Sequence, residues 1–208
     1  MASLLRIDSS PRGNASVSRR LGDTYTDGWK AAHSGSTVTT RDLAFQQPTY
    51  VDIQWIQSVY TPPDQQTDAH KAALKLSDEI IAEVEAADTI LITSPLYNFS
   101  IPAVLKAWID HLVRAGRTFA YVNGAPQGKV HGKKAVIILA KGGDYSESSP
   151  MHALDNATPY LRTILGFLGI TDVTFLDAGG VSMYPHKGQT EEQFLEPLQQ
   201  KARELVTA

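Results

Sequence analysis

Three short stretches of the chain concentrate residue types that hold small molecules, and each follows directly on an apolar run. The first, Ser9-Ser10-Pro11-Arg12-Gly13-Asn14-Ala15-Ser16-Val17-Ser18, places four hydroxyls just ahead of a helical pattern. Hydroxyls combined with the free N–H groups of a helix start suit a phosphate. Helix electrostatics adds only about 0.3–1 kcal/mol, so several charge-assisted hydrogen bonds of about 1.5–3 kcal/mol each must supply most of the grip. Neither GxGxxG nor GxxxxGK[ST] occurs, so the usual dinucleotide and nucleoside triphosphate fingerprints are missing. A Ser-rich turn that merely caps a helix would be written in the same letters.

The second stretch, Ser94-Pro95-Leu96-Tyr97-Asn98-Phe99-Ser100, sets two aromatics around an amide where a turn needs neither. A flat heteroaromatic ring can be held at its edge by loop amides while aromatic side chains cover a face. Pro95 stiffens the turn, Tyr97 and Phe99 offer apolar walls, and Asn98 offers a donor and an acceptor. The competing reading has both aromatics closing the core. The third stretch is Ala140-Lys141-Gly142-Gly143-Asp144-Tyr145, whose paired glycines let a ligand approach the backbone closely or simply make a turn. Together the three describe sites for a phosphate, a linker and a planar ring, a description that flavin mononucleotide (FMN) fits.

The elements that must position these loops follow from hydrophobic periodicity. Leu4–Ile7, Ile90–Thr93, Ala135–Ala140 and Val173–Leu176, with a weaker Thr37–Thr40, read as strands. Their near-continuous apolar character fits a parallel sheet covered on both faces. Helical stripes lie between them: Val17, Leu21, Tyr25 and Trp29 after an N-cap at Ser16; Ala73, Leu76, Ile80 and Val84; and Val104, Leu105, Trp108, Ile109 and Leu112 after Pro102. Thr190 and Gln193 form a capping-box signal ahead of Phe194, Leu198, Ala202 and Leu205, a helix that Pro197 disfavours. The alternation predicts a doubly wound α/β fold over residues 1–208 as a single domain, with right-handed crossovers. Two stretches break the rhythm: an excursion over 46–67 with room for a short helix, and 118–130, where Asn123-Gly124 signals a hairpin.

Composition narrows the function classes. A net charge of −3 without a long basic run argues against nucleic acid or an anionic membrane as partner. No apolar run approaches the ~20 residues of a membrane span, and the N-terminus lacks a signal-peptide pattern, so the expected location is cytoplasmic. Cysteine is absent, which excludes disulfides, thiol nucleophiles and iron–sulfur clusters. HExxH is missing, so metal catalysis is disfavoured and no metal ligand is assigned.

The stretches "SSPRGNASVS", "SPLYNFSIPAVLKAWID" and "KGG", with "TPYLRTILGFLGI", resemble the FMN-dependent NADH-azoreductase family of NAD(P)H:quinone and azo oxidoreductases. The similarity runs nearly end to end and is most specific at YNFSIP. It implies a flavodoxin-like, doubly wound parallel five-stranded sheet with helices on both faces. It further implies tightly bound FMN, with Ser10 and Ser16-Val17-Ser18 on the phosphate side and Pro95, Leu96, Tyr97, Asn98 and Phe99 around the ring. Ala140, Lys141, Gly142 and Gly143 would line the far edge of the ring. NADH or NADPH would deliver hydride to flavin N5, and a quinone or azo compound would then take the same slot in a ping-pong cycle, so no side chain is assigned a catalytic step. The family is a homodimer with flavin at the interface, and Tyr121 and Phe167 match positions lining the pocket for nicotinamide and acceptor. Ala140 stands where relatives often carry a hydroxyl, Leu96 replaces a frequent Met, and the 46–67 excursion is the least matched part. Two alternatives remain: a flavodoxin-type electron carrier without nicotinamide turnover, and a serine hydrolase, against which the absence of GxSxG speaks.

Overall fold

The computed structural model describes residues 1–207. Five parallel strands form the central sheet: β1 (Ser3–Asp8), β2 (Thr37–Asp42), β3 (Thr89–Pro95), β6 (Lys134–Ala140) and β7 (Asp172–Ala178), in the order β2-β1-β3-β6-β7. Between β3 and β6 a two-stranded antiparallel hairpin, β4 (Phe119–Val122) and β5 (Ala125–Gly128), stands apart from the sheet. Its turn is Asn123-Gly124, with φ of 52° and 80°, the doubly left-handed form whose twist matches the flanking strands. The predicted strands are the observed ones, extended by one to three residues.

Alternation along the strands divides the core into two layers. Leu5, Ile7, Ile90, Ile92, Ala135 and Ile137 face one cluster, and Leu4, Leu91, Val136 and Ile138 face the other. The first cluster is covered by α3 (Asp68–Ala86), α4 (Ala103–Leu112) and α5 (Ala157–Leu168); the second by α1 (Val17–Ala32) and α6 (Glu191–Glu204). β3 is buried along its whole length, as a central strand must be.

Local signals explain the helix boundaries. Ser16 caps α1 by accepting from Arg19 N, and reciprocal Thr190–Gln193 bonds start α6, which continues through Pro197 with Leu195 and Ala202 buried. The predicted α3 stripe is displaced: its buried face is Leu74, Ser77, Ile80, Ile81 and Val84, while Ala73 and Leu76 lie at the margin. The reason is Ser77, whose hydroxyl donates to His111 O at 2.6 Å, a satisfied polar group that a hydrophobic pattern does not count. In the excursion, α2 (Ile53–Tyr60), capped by Asp52, packs against α3. Buried His111 ties it down by donating from Nε2 to Thr49 O at 2.8 Å.

Candidate cofactor-binding site

The strand order reverses between β1 and β3: from β1 the chain moves outward to β2, then returns to the other side of β1. The segments leaving the carboxyl ends of these two strands therefore run to opposite faces and open a crevice. The three stretches singled out above are the loops that follow β1, β3 and β6, so the sheet brings all of them to this one end.

The serines of the β1 loop are buried, while Pro11, Arg12, Asn14 and Ala15 between them are exposed. Ser9, Ser10, Ser16 and Ser18 are at most 3% exposed. Ser9 doubles its hold on Thr93 O, donating from N at 3.1 Å and from Oγ at 3.0 Å. A single 3-10 turn, Gly13–Ala15, carries the chain to Ser16, with Gly13 at φ 52°. The Ser16 and Ser18 hydroxyls lie 3.1 Å apart at the start of α1, where the N–H groups of Val17 and Ser18 have no acceptor among the described residues. Two hydroxyls beside two free amides form a donor set suited to a tetrahedral oxyanion.

A charge network lies directly beneath this loop. Arg19 donates from Nε to Ser10 O at 2.9 Å and grips Asp42 bidentately at 2.5 and 2.6 Å, with Asp8 at 3.4 Å. Asp8, 3% exposed, also accepts from Arg6 and from Thr93 Oγ1. Burial alone would raise the Asp42 carboxyl, but the Arg19 hydrogen bond and charge hold it below the usual carboxylate range. The hydrogen bond to Asp42 likewise raises Arg19. Arg12, Arg19 and Arg20, close together in the sequence, therefore do not share one solvated face. Arg19 is a buried anchor, Arg20 pairs with Glu191 at 2.8 Å, and only the Arg12 side chain is exposed without a partner among the described residues. The available signal was Arg6 and Asp8, two charges inside an apolar strand.

The β3 loop is its opposite in backbone character. Tyr97 and Ser100 exchange hydrogen bonds of 2.9 and 3.0 Å, closing a two-residue turn over Asn98 and Phe99 at φ 47° and 69°. Left-handed backbone is tolerated by Asn and is a genuine outlier for Phe. The N–H groups of Asn98 and Phe99 have no acceptor among the described residues, and the Phe99 carbonyl accepts from Asn156 N at 2.9 Å. Tyr97 and Phe99 are 39% and 44% exposed, so these aromatics do not close the core. Pro95 is buried at the strand end, and Leu96 N is occupied by Ala140 O at 2.8 Å.

The β6 loop supplies backbone. Gly142 and Gly143 accept through their carbonyls from Ser182 N and Gly180 N at 2.9 Å each, while their own N–H groups have no acceptor among the described residues. Ala140 is half-buried beside them. The Lys141 side chain points away into the protein, 2% exposed, with Nζ bonded to Asp155 Oδ2 at 2.8 Å and to Asp177. Only its main chain belongs to the loop.

Tyr121 and Phe167 lie elsewhere. They meet through Phe119, whose ring centroid is 5.8 Å from Tyr121 and 4.7 Å from Phe167. The hairpin rests on the C-terminal end of α5: Val130 N donates to Leu168 O at 2.9 Å, and a Cβ on Gly128 would collide with Leu168 C at 2.2 Å. The start of α5 is beside Phe99. Phe167 is therefore about 16 Å further along the helix axis from Asn156, at the end of the sheet remote from the three loops.

Among the described residues no serine hydroxyl bonds a histidine ring. His33, His111 and His152 bond to backbone oxygens of Trp29, Thr49 and Tyr145, and no acidic or histidine cluster suited to a metal occurs among the described residues.

Comparison with known proteins covers nearly the whole chain. A family model described as having a flavodoxin-like fold matches residues 2–202. An FMN-dependent NADH:quinone oxidoreductase of Acidobacterium capsulatum is 48% identical over 206 residues, 99% of this chain and 100% of its own. A second protein of that description, from a Jannaschia species, is 45% identical over 95% of this chain and 96% of its own. Among solved structures, an azoreductase from Bacillus anthracis str. Sterne superposes with a TM-score of 0.89 at 29% identity, covering 99% of both chains.

Proposed function

This chain belongs to the flavodoxin-like family of FMN-dependent NADH:quinone oxidoreductases, and from that premise we propose that it binds FMN across the three loops and reduces quinones with NADH. The observation that carries this reading is the convergence of donors at one sheet end: the Ser16–Ser18 hydroxyl pair beside the free amides of Val17 and Ser18, the free amides of Asn98 and Phe99, and those of Gly142 and Gly143, none of these amides having an acceptor among the described residues. The donor set fits the group. A phosphate would meet Ser10, Ser16, Val17 and Ser18; the polar ring edge would meet the free loop amides; and Pro95, Leu96, Tyr97, Phe99 and Ala140 would offer apolar contact. Lys141 contributes main chain there.

When bound, FMN supplies the two-electron chemistry. The polypeptide binds, orients and shields, and no side chain acts as nucleophile or general base. NADH and the acceptor use one slot in turn, which makes the kinetics ping-pong. A slot walled by apolar groups such as Tyr97 and Phe99 would accept flat azo compounds beside quinones.

The chain works as a homodimer with flavin at the interface. Tyr121 and Phe167 cannot reach the loops of their own chain, being separated from them by the length of α5, so a second copy must present them to the pocket. Exposed Tyr50, Ile53, Tyr60 and Tyr121, each at least 68% exposed, supply apolar surface for that contact.

Purified chain mixed with FMN will turn yellow and resist bleaching by dialysis, and NADH alone will bleach the flavin band under anaerobic conditions. Failure to take up FMN would remove the reading. Double-reciprocal plots with benzoquinone will be parallel; intersecting lines would show separate slots. Sedimentation will give a dimer, and a monomer with full turnover would refute the shared pocket.

A further inference from the structure

One ion cluster near the site has no role in the reading above. The Lys141 ammonium is buried at 2% exposure between Asp155, 7% exposed, and Asp177, 46% exposed. Burying an ammonium costs several kcal/mol before its partners compensate, and apolar side chains of similar volume fill such positions at least as stably. The cluster therefore adds little stability of its own, and its distinctive contribution is the geometry it imposes.

That geometry links the two ring-side loops. The main chain of Lys141 is pinned between β6 and β7, its N donating to Ala178 O and its O accepting from Val181 N, at 3.0 Å each. Its ammonium reaches across to Asp155 Oδ2. The other Asp155 oxygen accepts from the N–H groups of Ala157 and Thr158 at 3.0 and 3.1 Å, locking the first turn of α5. The intervening residue, Asn156, donates its N–H to Phe99 O at 2.9 Å. Among the described residues this is the one hydrogen bond that the Asn98–Phe99 pair makes to the rest of the chain. A left-handed Phe persists only where its surroundings over-determine it. Here the determinant runs from Lys141 through Asp155 and Asn156 to the turn.

We propose that Lys141 is a positioning residue: through Asp155 and Asn156 it holds the strained Asn98–Phe99 turn in register with the Gly142–Gly143 backbone, so that both present their free amides to one ring edge. This rests on the FMN reading for its consequence, while the coupling itself belongs to the chain alone.

The test compares Lys141→Met, Asp155→Asn and Lys141→Arg with the unaltered chain. In flavin-free protein, hydrogen exchange over residues 96–101 will accelerate about tenfold or more in Lys141→Met, as expected of local opening released from a tertiary tie. With FMN bound, the midpoint potential and absorption envelope of the flavin will shift, and its reduction by NADH will slow by on the order of 10²-fold, the penalty of a small misplacement. Lys141→Arg, which keeps the charge, will recover part of each change. Wild-type exchange at 96–101 together with a lowered melting temperature would overturn the proposal, leaving Lys141 a purely structural group. Should Lys141→Met fail to fold, Asp155→Asn keeps an oxygen for the α5 cap while removing the charge, and unchanged exchange in that variant overturns the proposal equally. A wild-type chain that takes up no FMN would refute the cofactor reading, and the exchange experiment would still decide the coupling.

Discussion

The loop after β1 and the turn after β3 are presented side by side at the same sheet end, yet they are built by opposite means. The first has Ser9, Ser10, Ser16 and Ser18 buried, and leans on Arg19, Asp8 and Asp42 below it. The second has Phe99 at φ 69°, half-exposed aromatics and a single hydrogen bond to α5. A charged, tetrahedral group demands fixed donors, and a salt-bridged floor keeps them fixed. A flat ring demands amides turned outward, and a two-residue left-handed turn does this at the expense of local strain.

The contrast breaks most severely at Arg19. Arg19→Met strips Asp42 of its bidentate partner and frees Ser10 O, while Asp8 keeps Arg6 and Thr93, a loss of about 1–3 kcal/mol in chemical unfolding. A loss below about 1 kcal/mol would show that the floor is ornamental. Next comes the Ser16→Ala/Ser18→Ala double variant. Removing hydroxyls that meet a charged group raises the FMN dissociation constant by on the order of 10²-fold in a fluorescence titration. The far-ultraviolet circular dichroism will be retained, since the lost cap at Ser16 costs only about 1 kcal/mol. Unchanged affinity would move the phosphate elsewhere.

Phe99→Gly probes the opposite side with a smaller effect of opposite sign. Relief of the left-handed strain raises unfolding stability by about 1 kcal/mol while flavin affinity falls with the lost wall. Lower stability in that variant would mean that the turn is unstrained. The smallest effect is acid dependence. Arg19 keeps the Asp42 carboxyl below its usual value, so its stabilisation is complete above the unfolded value of about 3.9 and is lost as pH falls through the folded one. His111 behaves likewise nearer neutrality. Burial lowers it, so the neutral ring that holds Thr49 is stabilising above about pH 6.5 and is lost as pH falls through the depressed value. Acid titration monitored by hydrogen exchange will loosen 46–60 before 9–18, and the reverse order would contradict this assignment.

The sequence was legible where local rules suffice. Strand positions followed from apolar runs, α1 and α6 from Ser16 and the Thr190–Gln193 pair, and the hairpin from Asn123-Gly124. Legibility ended where a residue's role depends on a distant partner. The anchoring role of Arg19 was not legible, because nothing in its neighbourhood announces Asp42, 23 positions away. Ser77 displaced a helix face because its acceptor, His111 O, is 34 positions on.

Residue types and their order alone determined the alternating α/β plan and which loops follow the carboxyl ends of its strands, because periodicity, capping and turn chemistry act within a few residues. Only the tertiary structure decided that Phe99 is strained, that Lys141 points inward to Asp155 and Asp177, and that Tyr121 and Phe167 lie at the far end from the loops they were expected to serve. The physical reason is the same in each case: backbone strain, ion pairing and helix direction are settled by contacts between segments distant in the chain, and no local stretch encodes them.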